Sequence, residues 1–435
     1  MKHLSERQGS ALLSSLMVAL VVASICGLYL KSVTFEYENS HRTRLQMETV
    51  NVAETGAEDA LYALASDNWS GWMAGTNGYS RRISLPGGGH GEARYVTTYI
   101  DLQNTNTPVI ITEGEVVHPS GFSVTKQLRI DLERSGLFSN GMTSRNGITM
   151  NGNNVAVDSY HSGAGIYDPL SNRRDNGSVA SVSVAVGAVS IQNADIYGFV
   201  ATGGGNPLVG SKGSITGVDT PSGMKIDPSR VARDFYAEFP PVGTPTLSSP
   251  QTVISGSTMG VDGVSTEYSL AALSLKSSDP ALIVKGDVTL IVSGDIDIKG
   301  ELVVSAAASL TVYVGGDVDV GGNGAVNLTN VPANLVMFGT ASSGQTIKLH
   351  GSGALTAAVY APFADVELKG GGSSGAMYGS VVGNQITLTG NYNFHYDEAL
   401  DEYANNGRFR LSKWRELNSA GSRIIDILAL RDTGI

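Results

Sequence analysis

The chain has 435 residues, enough for two or three domains, and its net charge of −11, with no Lys/Arg cluster, argues against a nucleic-acid partner. The 54 glycines and a charged fraction of 16% indicate a mainly β protein with many tight turns. The single cysteine, Cys26, excludes an intramolecular disulfide and a cysteine metal site, and no motif indicates a cofactor.

An uncharged segment, residues 10–30, comes first in the chain. A helix of that length covers roughly 30 Å, the thickness of a bilayer's hydrocarbon core. Residues 10–30 are therefore predicted to cross a membrane as one helix. A cleaved secretory signal is the alternative, because Lys2 and Arg7 form a basic flank, but the apolar run is long for one.

The helical pattern continues past residue 30. Apolar residues recur every three to five residues as far as Leu64, and no proline occurs before Pro86. We predict one helix of about fifty-five residues, of which 31–68 extend beyond the membrane.

Basic residues near the span predict its orientation. Lys2, Arg7 and the α-amino group precede it, whereas the basic residues that follow it are mixed with Glu36, Glu38 and Glu48. This bias places the N-terminus in the cytoplasm and the bulk of the chain outside.

Two motifs flank the apolar run: residues 7–13, RQGSALL, and residues 53–61, AETGAEDAL. Together with the run they resemble the N-terminus of PilX-like pilus-assembly proteins, relatives of type IV pilins and type II secretion pseudopilins. In that family a prepilin peptidase removes a basic leader ending in Gly, which implies a leader over 1–9 and cleavage between Gly9 and Ser10. Ser14 stands where pilins usually carry Glu, and a permanent signal anchor is the alternative.

The resemblance also implies a cellular setting. It places the chain in a bacterial inner membrane as a single-pass protein, with its C-terminal part in the periplasm or outside the cell, or in a pilus. The implied partners are the lipid bilayer, other pilin-like subunits and the prepilin peptidase.

Alternating apolar and polar residues replace the helical pattern within 69–135. Three strands are predicted, over 95–102, 109–117 and 122–132, joined by turns into an antiparallel meander. A helix followed by such a meander is the architecture of a pilin head.

Residues 136–400 contain an internal repeat. An offset of 22 places residues 289–300 on 311–322 with eleven of twelve positions alike, the exception being Lys299 against Gly321. A shorter pattern, two aliphatic residues two positions apart and then Gly or Asn, occurs eight times. These copies span 147–152, 188–193, 295–300, 317–322, 325–330, 346–351, 365–370 and 385–390.

The two aliphatic side chains would point to one face of a short strand, and Gly or Asn would turn the chain. We therefore predict a parallel β-solenoid over 136–400, interrupted by an irregular insertion, 198–280, with a short helix capped by Asp227. An antiparallel sandwich is the alternative fold.

Further motifs in 147–160, 227–242 and 378–400 resemble the β-helical C-terminal domain that accompanies PilX-type N-termini in envelope proteins. Within the tail, 401–435, residues 409–417 are predicted to dock as a final strand or helix.

Acidic residues provide one candidate ligand site. Asp295 and Asp297 share an outward face, and the 22-residue offset stacks them on Asp317 and Asp319, an oxygen set that suits calcium. A solvated acidic face is the alternative, since Lys285 and Lys299 lie nearby.

Catalytic signals are weak. Gly89-His90-Gly91 echoes a polygalacturonase motif without the accompanying acidic pair, and His395 is interpreted as structural. The sequence thus predicts a non-enzymatic, membrane-anchored, exported protein of a type IV pilus or type II secretion-like machine. Its solenoid would face outward for assembly or for adhesion to surface glycans or cells. A glycan-active β-helix enzyme and a self-assembling bactofilin-like scaffold are the alternatives.

Overall fold

The computed structural model describes residues 3–87, 89, 91–104, 107–134, 136–152, 155–321, 324–351, 353–370, 375–403 and 409–417. The chain forms two compact units. Unit 1 contains Met1–Arg134 and Asn406–Ile435, and unit 2 contains Ser135–Asn405. The fold is mainly β, with one long N-terminal helix.

Unit 1 consists of helix α1, His3–Ser66, and a six-stranded antiparallel sheet. The strands are β1 (Met73–Ala74), β2 (Gly78–Leu85), β3 (Ala93–Asp101), β4 (Val109–Val117), β5 (Ser123–Arg134) and a C-terminal strand, Phe409–Glu416. The C-terminal strand pairs with β5 and forms an edge of the sheet. The antiparallel meander is confirmed, with β1 and β2 added at one side and the C-terminal strand at the other.

Helix α1 is longer than predicted, 64 residues, because it starts at His3 within the predicted leader. Its second half packs on the sheet through small residues, whereas the described side chains of its first half, residues 13–34, are all exposed. At Gly56 a Cβ atom would lie 2.4 Å from Cγ2 of Val96, so glycine is what lets the helix approach the sheet. The buried helix residues are Leu45, Thr49, Val52, Ala53, Gly56, Ala57, Ala60, Ala63 and Leu64.

Unit 2 contains one 21-stranded sheet whose strands pair in parallel. Its strands are β6 (Met142–Met150), β7 (Ala156–Tyr160), β8 (Gly177–Ser181), β9 (Val189–Gln192), β10 (Asp195–Thr202), β11 (Leu208–Val209), β12 (Ser214–Thr216), β13 (Val231–Ala232), β14 (Thr258–Leu270), β15 (Leu273–Leu275), β16 (Leu282–Val292), β17 (Ile296–Ile298), β18 (Glu301–Val304), β19 (Ser309–Val314), β20 (Val318–Val320), β21 (Gly324–Asn327), β22 (Leu335–Gly339), β23 (Gln345–Gly351), β24 (Ala354–Gly370), β25 (Gly375–Thr389) and β26 (Tyr392–Asp397).

The strand register reproduces the sequence repeat. Thr289 lies opposite Thr311, and Ile296 lies opposite Val318, at the 22-residue offset. The inward aliphatic side chains form one continuous core along the stacked turns of the chain, called rungs below. Seven of the eight predicted aliphatic pairs are buried.

The eighth pair, in 325–330, has the opposite phase. Asn327 lies inward, opposite Val304, while Leu328 is 52% exposed. Nδ2 of Asn327 donates to the carbonyl oxygens of Val331 and Thr356, at 2.9 and 3.1 Å. These bonds hold the turn after β21, so hydrogen bonding replaces apolar burial at this position.

The predicted insertion, 198–280, differs from the structure. Its ends belong to the parallel sheet, through β10–β13 at one end and β14 and β15 at the other. The part between, residues 233–257, has no strand and is called the strap; its Gln251 forms one isolated bridge, to Tyr268. The short helix is a 3₁₀ turn, Pro228–Arg230, capped as predicted by Asp227, which accepts from the backbone N–H of Ser229 at 3.0 Å.

The strap crosses the outside of the stack. Its Phe235 N–H donates to the carbonyl of Thr202, and its Pro240 carbonyl accepts from the hydroxyl of Tyr360 at 3.2 Å. Phe239 packs with Tyr360 in a second apolar cluster, outside the main core. With the bridge from Gln251 to Tyr268 of β14, the strap contacts both ends of the stack and, at Tyr360, its middle.

Candidate functional site

Helix α1 presents a bare apolar surface, which makes it a candidate membrane anchor. Every side chain from Leu13 to Leu30 is exposed, including Cys26. Within the described residues, α1 is the one helix long and apolar enough to cross a membrane, with a mean hydropathy of 2.2 over its most apolar window. Gly9 and Ser10 lie inside α1, and their side chains fall outside the described residues.

Ion pairs bind α1 to the sheet just beyond this apolar surface. Arg44 contacts Glu48 at 2.9 Å and the buried Glu92 at 2.5 Å, and Nε of Arg94 donates to Glu48 at 2.7 Å. The hydrogen bond to Glu92, with the nearby negative charges, raises the pKa of Arg44. These ion pairs hold α1 against the sheet just beyond the apolar surface.

Two distant parts of the chain join in unit 2, at a contact called the seam. β25 pairs with β6, and β26 pairs with β7. The rungs built from 142–232 therefore continue the stack that ends with 375–397. Phe138 and Tyr396 also meet here, since the hydroxyl of Tyr396 donates to the carbonyl of Phe138 at 2.8 Å.

Asp158 and His395 stand opposite each other across the seam. Nδ1 of His395 lies 2.5 Å from Oδ1 of Asp158, and both side chains are almost fully buried. Oδ2 of Asp158 accepts from the hydroxyl of Tyr167 and from Nε of Arg173, both at 2.8 Å. The aromatic rings of Tyr167 and Tyr378 pack against the imidazole, at 3.8 and 4.8 Å between centroids.

Glu398 adds a second set of bonds across the seam. It accepts from Ser159 Oγ at 2.8 Å, from Arg174 Nη1 at 2.9 Å and from Asn176 Nδ2 at 3.0 Å. The cluster therefore ties the first rung of unit 2 to its last one. Among the described residues no Ser, Thr or Cys side chain is hydrogen-bonded to His395. The buried contact between His395 and Asp158 therefore holds β26 and β7 together and does not resemble a nucleophile with its base.

Burial also perturbs the tyrosines around the seam. Removal from water raises the pKa of Tyr160, and the neighbouring Asp397 adds to the rise. It likewise raises the pKa of Tyr392 and of Tyr396, with smaller effects from Tyr378 on the former and Asp401 on the latter. These phenols remain neutral in the folded protein over the ordinary pH range.

The predicted calcium ligands form an outward ladder. Asp297 lies opposite Asp319, as the offset predicts. Lys299 lies between them, with Nζ 3.4 Å from Asp297 and 2.7 Å from Asp319, and Nε2 of His350 lies 2.5 Å from Asp319. Burial alone would raise the pKa of Asp319, but the bonds from Lys299 and His350 outweigh it and lower that pKa.

Asp295 and Asp317 serve the backbone. Asp295 accepts from the N–H of Asp317, and Asp317 accepts from the N–H of Thr346, both at 2.8 Å. Each aspartate thus binds one rung to the next at a corner. In the described part of the chain, no three His, Cys, Asp or Glu side chains are grouped to hold a metal ion, and the calcium site stays a prediction.

The lone mismatch of the 22-residue repeat has a structural reason. A Cβ on Gly321 would lie 2.6 Å from Cε1 of His350, so the lack of a side chain lets that histidine reach Asp319. Of the weak polygalacturonase motif, His90 lies outside the described residues.

Sequence reasoning missed the seam. Asp158 and His395 are separated by 237 positions, and the two motifs that contain them, 147–160 and 378–400, do not indicate that they pair. The usable signal was the alternation in 156–160 and 392–397, which predicts that both side chains point outward on their strands.

Comparisons with known proteins cover parts of this chain. A family model described as a domain of unknown function (DUF7305) matches residues 267–403, the rungs from β14 to the end of unit 2. The competence-associated pilin ComZ from Thermus thermophilus is similar at 11% identity, over 86% of this chain and 98% of that chain. Its TM-score of 0.28 is too low to assign a fold. No curated protein matches the sequence.

Proposed function

We propose that this protein is a membrane-anchored, exported subunit of the PilX-like pilin type. Unit 1 would be its pilin-like head and unit 2 a parallel β-solenoid presented outside the membrane. Unit 2 would act as a spacer or an adhesive surface for glycans or cells. We also propose that it has no enzymatic role.

The observation that carries the proposal is the two-part helix α1. Residues 13–30 bury nothing within the protein, whereas residues 45–64 are docked on the sheet through alanines and Gly56. A cleaved secretory signal is a separate segment that is removed, so it is not expected to continue without a break into the core helix of the exported domain. A helix shared between lipid and head is how a pilin-type subunit is built.

Processing at Gly9 tests the pilin route. The full-length chain is produced in a bacterium with and without its prepilin peptidase, and its intact mass is measured. We expect loss of residues 1–9 and a new N-terminus at Ser10 only when the peptidase is present. The matched variant Gly9→Val should keep the leader in both strains. An unprocessed wild-type chain in both strains would contradict this route.

Anchoring is tested separately with charges in the apolar run. Leu20→Lys and Val21→Lys together should move the protein out of the membrane fraction, since a lysine at the centre of a span costs about 3 kcal/mol. Tyr62→Lys, at a position 67% exposed on the head part of α1, is the control and should remain membrane-bound. Equal membrane retention of both variants would contradict the anchor.

The absence of enzymatic activity is tested on anionic and neutral polysaccharides. The carboxylates described above are engaged by Lys, Arg, His or backbone N–H groups, which supports a structural role. We expect no change in polysaccharide length after incubation with the full-length protein. Chain shortening that is lost in an Asp158→Asn variant would instead favour the glycan-active alternative.

A further inference from the structure

The stack of rungs in unit 2 ends, on one side, at strand β14. β14 and β15 pair with β16 and β17, and they form the last rung on this side of the described structure. The outer backbone groups of a last rung are unpaired unless something covers them, and an open edge of this kind attracts strands of other molecules. A self-assembling scaffold would need this edge to be open.

The strap covers the β14 edge with its last residues. The N–H of Gln251 donates to the carbonyl of Glu267, and the N–H of Ser269 donates to the carbonyl of Gln251, both at 2.8 Å. Oε2 of Glu267 accepts from the N–H and from Oγ of Ser248, at 2.8 and 3.1 Å. Residues 248–254, called the cap below, therefore engage the donor and the acceptor that a further strand would use.

The cap also lies over the end of the apolar core. Ile254 packs against the main core, whereas its neighbour Val253 is 71% exposed. Tyr268 points into this core from the last rung, and its hydroxyl accepts from the N–H of Gly260 at 3.1 Å. Although it belongs to the last rung, Tyr268 is 4% exposed, which agrees with a cover above it.

The rest of the β14 edge is interrupted by a bulge. Residues 261–264 stand against the single residue Gly286, between two stretches that pair with β16. Val261 and Val264 of this bulge are exposed. A bulge prevents a neighbouring strand from pairing along the whole edge. The longest regular stretch of the edge is therefore 265–270, where the cap is bound.

The opposite end of the stack is covered in a similar way. Its strands β11, β12 and β13 are two or three residues long. Ile226 forms an isolated parallel bridge to Ile215 of β12, as Gln251 does to Tyr268 of β14. The N–H of Ile215 donates to the carbonyl of Lys225 at 2.8 Å. A single bridging residue thus takes the place of a further strand at both ends.

We propose that the cap prevents unit 2 from pairing with a second copy of this chain, and that β14 of that copy takes the place of the cap when it detaches. Two identical edges related by a two-fold axis pair as antiparallel strands. The N–H of Ser269 and the carbonyl of Glu267, which now bind Gln251, would bind the partner strand instead. The cap is thus an autoinhibitory contact on a latent dimer surface.

Release of the cap tests the proposal in the full-length protein, purified in detergent micelles. Ile254→Asp places a charge against the core and should detach the cap. We expect the Ser269 amide to exchange hydrogen about tenfold faster, and the protein mass measured by light scattering to double. Val253→Asp, the same change at the exposed neighbour, is the matched control and should alter neither measurement.

A milder variant gives the same test without a charge at the core. Gln251→Pro removes the N–H that bonds Glu267, so it should also speed exchange at Ser269 and double the protein mass. Fast exchange at Ser269 without association in either variant would overturn the latent surface. Slow exchange at Ser269 in both variants would overturn the cap.

A proline on β14 distinguishes edge pairing from general aggregation. Ser269→Pro removes the N–H that now bonds Gln251, and an edge strand tolerates proline at such a position. Added to Ile254→Asp, it should restore the wild-type mass, and persistent association of this double variant would overturn the proposal. All variants carry the same α1, so these outcomes do not depend on leader cleavage or on contacts between membrane helices.

Discussion

Asp158 is the residue on which the seam converges. It is buried, yet its two carboxylate oxygens are engaged by His395, Tyr167 and Arg173. A buried carboxylate is tolerated when cations and donors surround it, and removal of one partner leaves the others uncompensated. A substitution of Asp158 is therefore expected to lower stability mainly because His395, Tyr167 and Arg173 would lose their hydrogen-bond acceptor.

Asp158→Asn should destabilise the seam by about 2 kcal/mol, because the neutral amide is a weaker acceptor for the buried His395 and for Tyr167 and Arg173. Hydrogen exchange of the β7 and β26 amides in the full-length protein measures the loss.

Asp195→Asn is the control, on the same outer face one rung away. Asp195 is exposed and accepts from Ser214 Oγ at 2.6 Å, so its loss should change stability by less than about 0.5 kcal/mol. Equal effects of the two substitutions would contradict the role assigned to Asp158.

The buried tyrosines predict alkaline instability. Burial raises the pKa of Tyr160, Tyr392 and Tyr396 above the value of about 10 for an unfolded chain. The folded state then holds protons that the unfolded state releases. Below pH about 10 the three tyrosines contribute their whole stabilisation. Above it the free energy of unfolding falls with pH, by about 4 kcal/mol per pH unit for three groups. Unfolding at stepped pH values with tyrosinate absorbance measures this slope.

Tyr392→Phe isolates the contribution of one phenol. It removes one of the three protons and keeps the ring, so the slope above pH about 10 should fall by a third. An unchanged slope would mean that other groups control the alkaline transition.

For single residues, the sequence predicted which residues lie opposite each other better than it predicted their hydrogen-bond partners. The 22-residue offset correctly placed Asp297 opposite Asp319. It could not show that Asp295 and Asp317 accept backbone N–H groups of the next rung, since that depends on corner geometry. Asn327 likewise turned inward because its amide satisfies two carbonyls, which a pattern of apolar residues does not encode.

Among the elements, α1 combines two surfaces in one continuous helix. Its outer part has large apolar side chains and no protein contacts, while its inner part has alanines, Gly56 and few large residues. Close packing on a sheet requires the small residues, and lipid contact favours the large ones.

Gly56→Ala should destabilise unit 1, although alanine is the better helix former by about 1 kcal/mol. The added Cβ would lie 2.4 Å from Val96 Cγ2 and 2.5 Å from Thr98 Oγ1, and overpacking of this kind costs about 1 to 3 kcal/mol. Thr55→Ala, on the exposed side of the same turn, should cause no loss. Thermal unfolding of the two full-length variants compares them, and a stabilised Gly56→Ala protein would contradict the packing argument.

Elements held by local contacts were predictable, and those held by distant ones were not. The meander strands lie near their predicted positions because each pairs with its neighbour in sequence. The C-terminal strand was predicted as a strand or a helix, because its partner β5 lies far earlier in the chain. The Gly- and Ser-rich 198–280 obscured β10–β15, whose strands are mostly short.

For the whole molecule, the important feature is that unit 2 is inserted into unit 1. The chain leaves the antiparallel sheet at Arg134 and returns at Phe409, and these two residues are paired neighbours. The charges follow the same division: unit 2 carries 12 Lys and Arg against 23 Asp and Glu, whereas unit 1 carries 17 of each. The full net charge of −11 therefore belongs to unit 2.

Unit 1 should fold without unit 2. Replacement of residues 135–408 by Asn-Gly joins Arg134 to Phe409 through a two-residue turn, which suits an antiparallel pair. We expect the contact between Lys126 and Glu416 to persist, detected by a zero-length cross-link between the amine and the carboxylate.

A chain truncated after Arg134 is the matched control for this replacement. It loses the last strand, exposes the edge of β5 and should aggregate more readily. Loss of the cross-link in the Asn-Gly protein would show that unit 1 depends on unit 2.

The seam also determines when unit 2 can be completed during synthesis, because its partners lie far apart in the sequence. Residues 142–160 precede by more than 200 residues the strands in 375–397 that pair with them, so in the exported chain proposed above they would cross the membrane first. Until then the early strands would offer unpaired backbone groups and exposed apolar side chains, and an exported chain would need a holdase or fast emergence to protect them. A premature stop codon in the last rung would therefore leave the strands in 142–160 without their partners, and the product would be prone to aggregate.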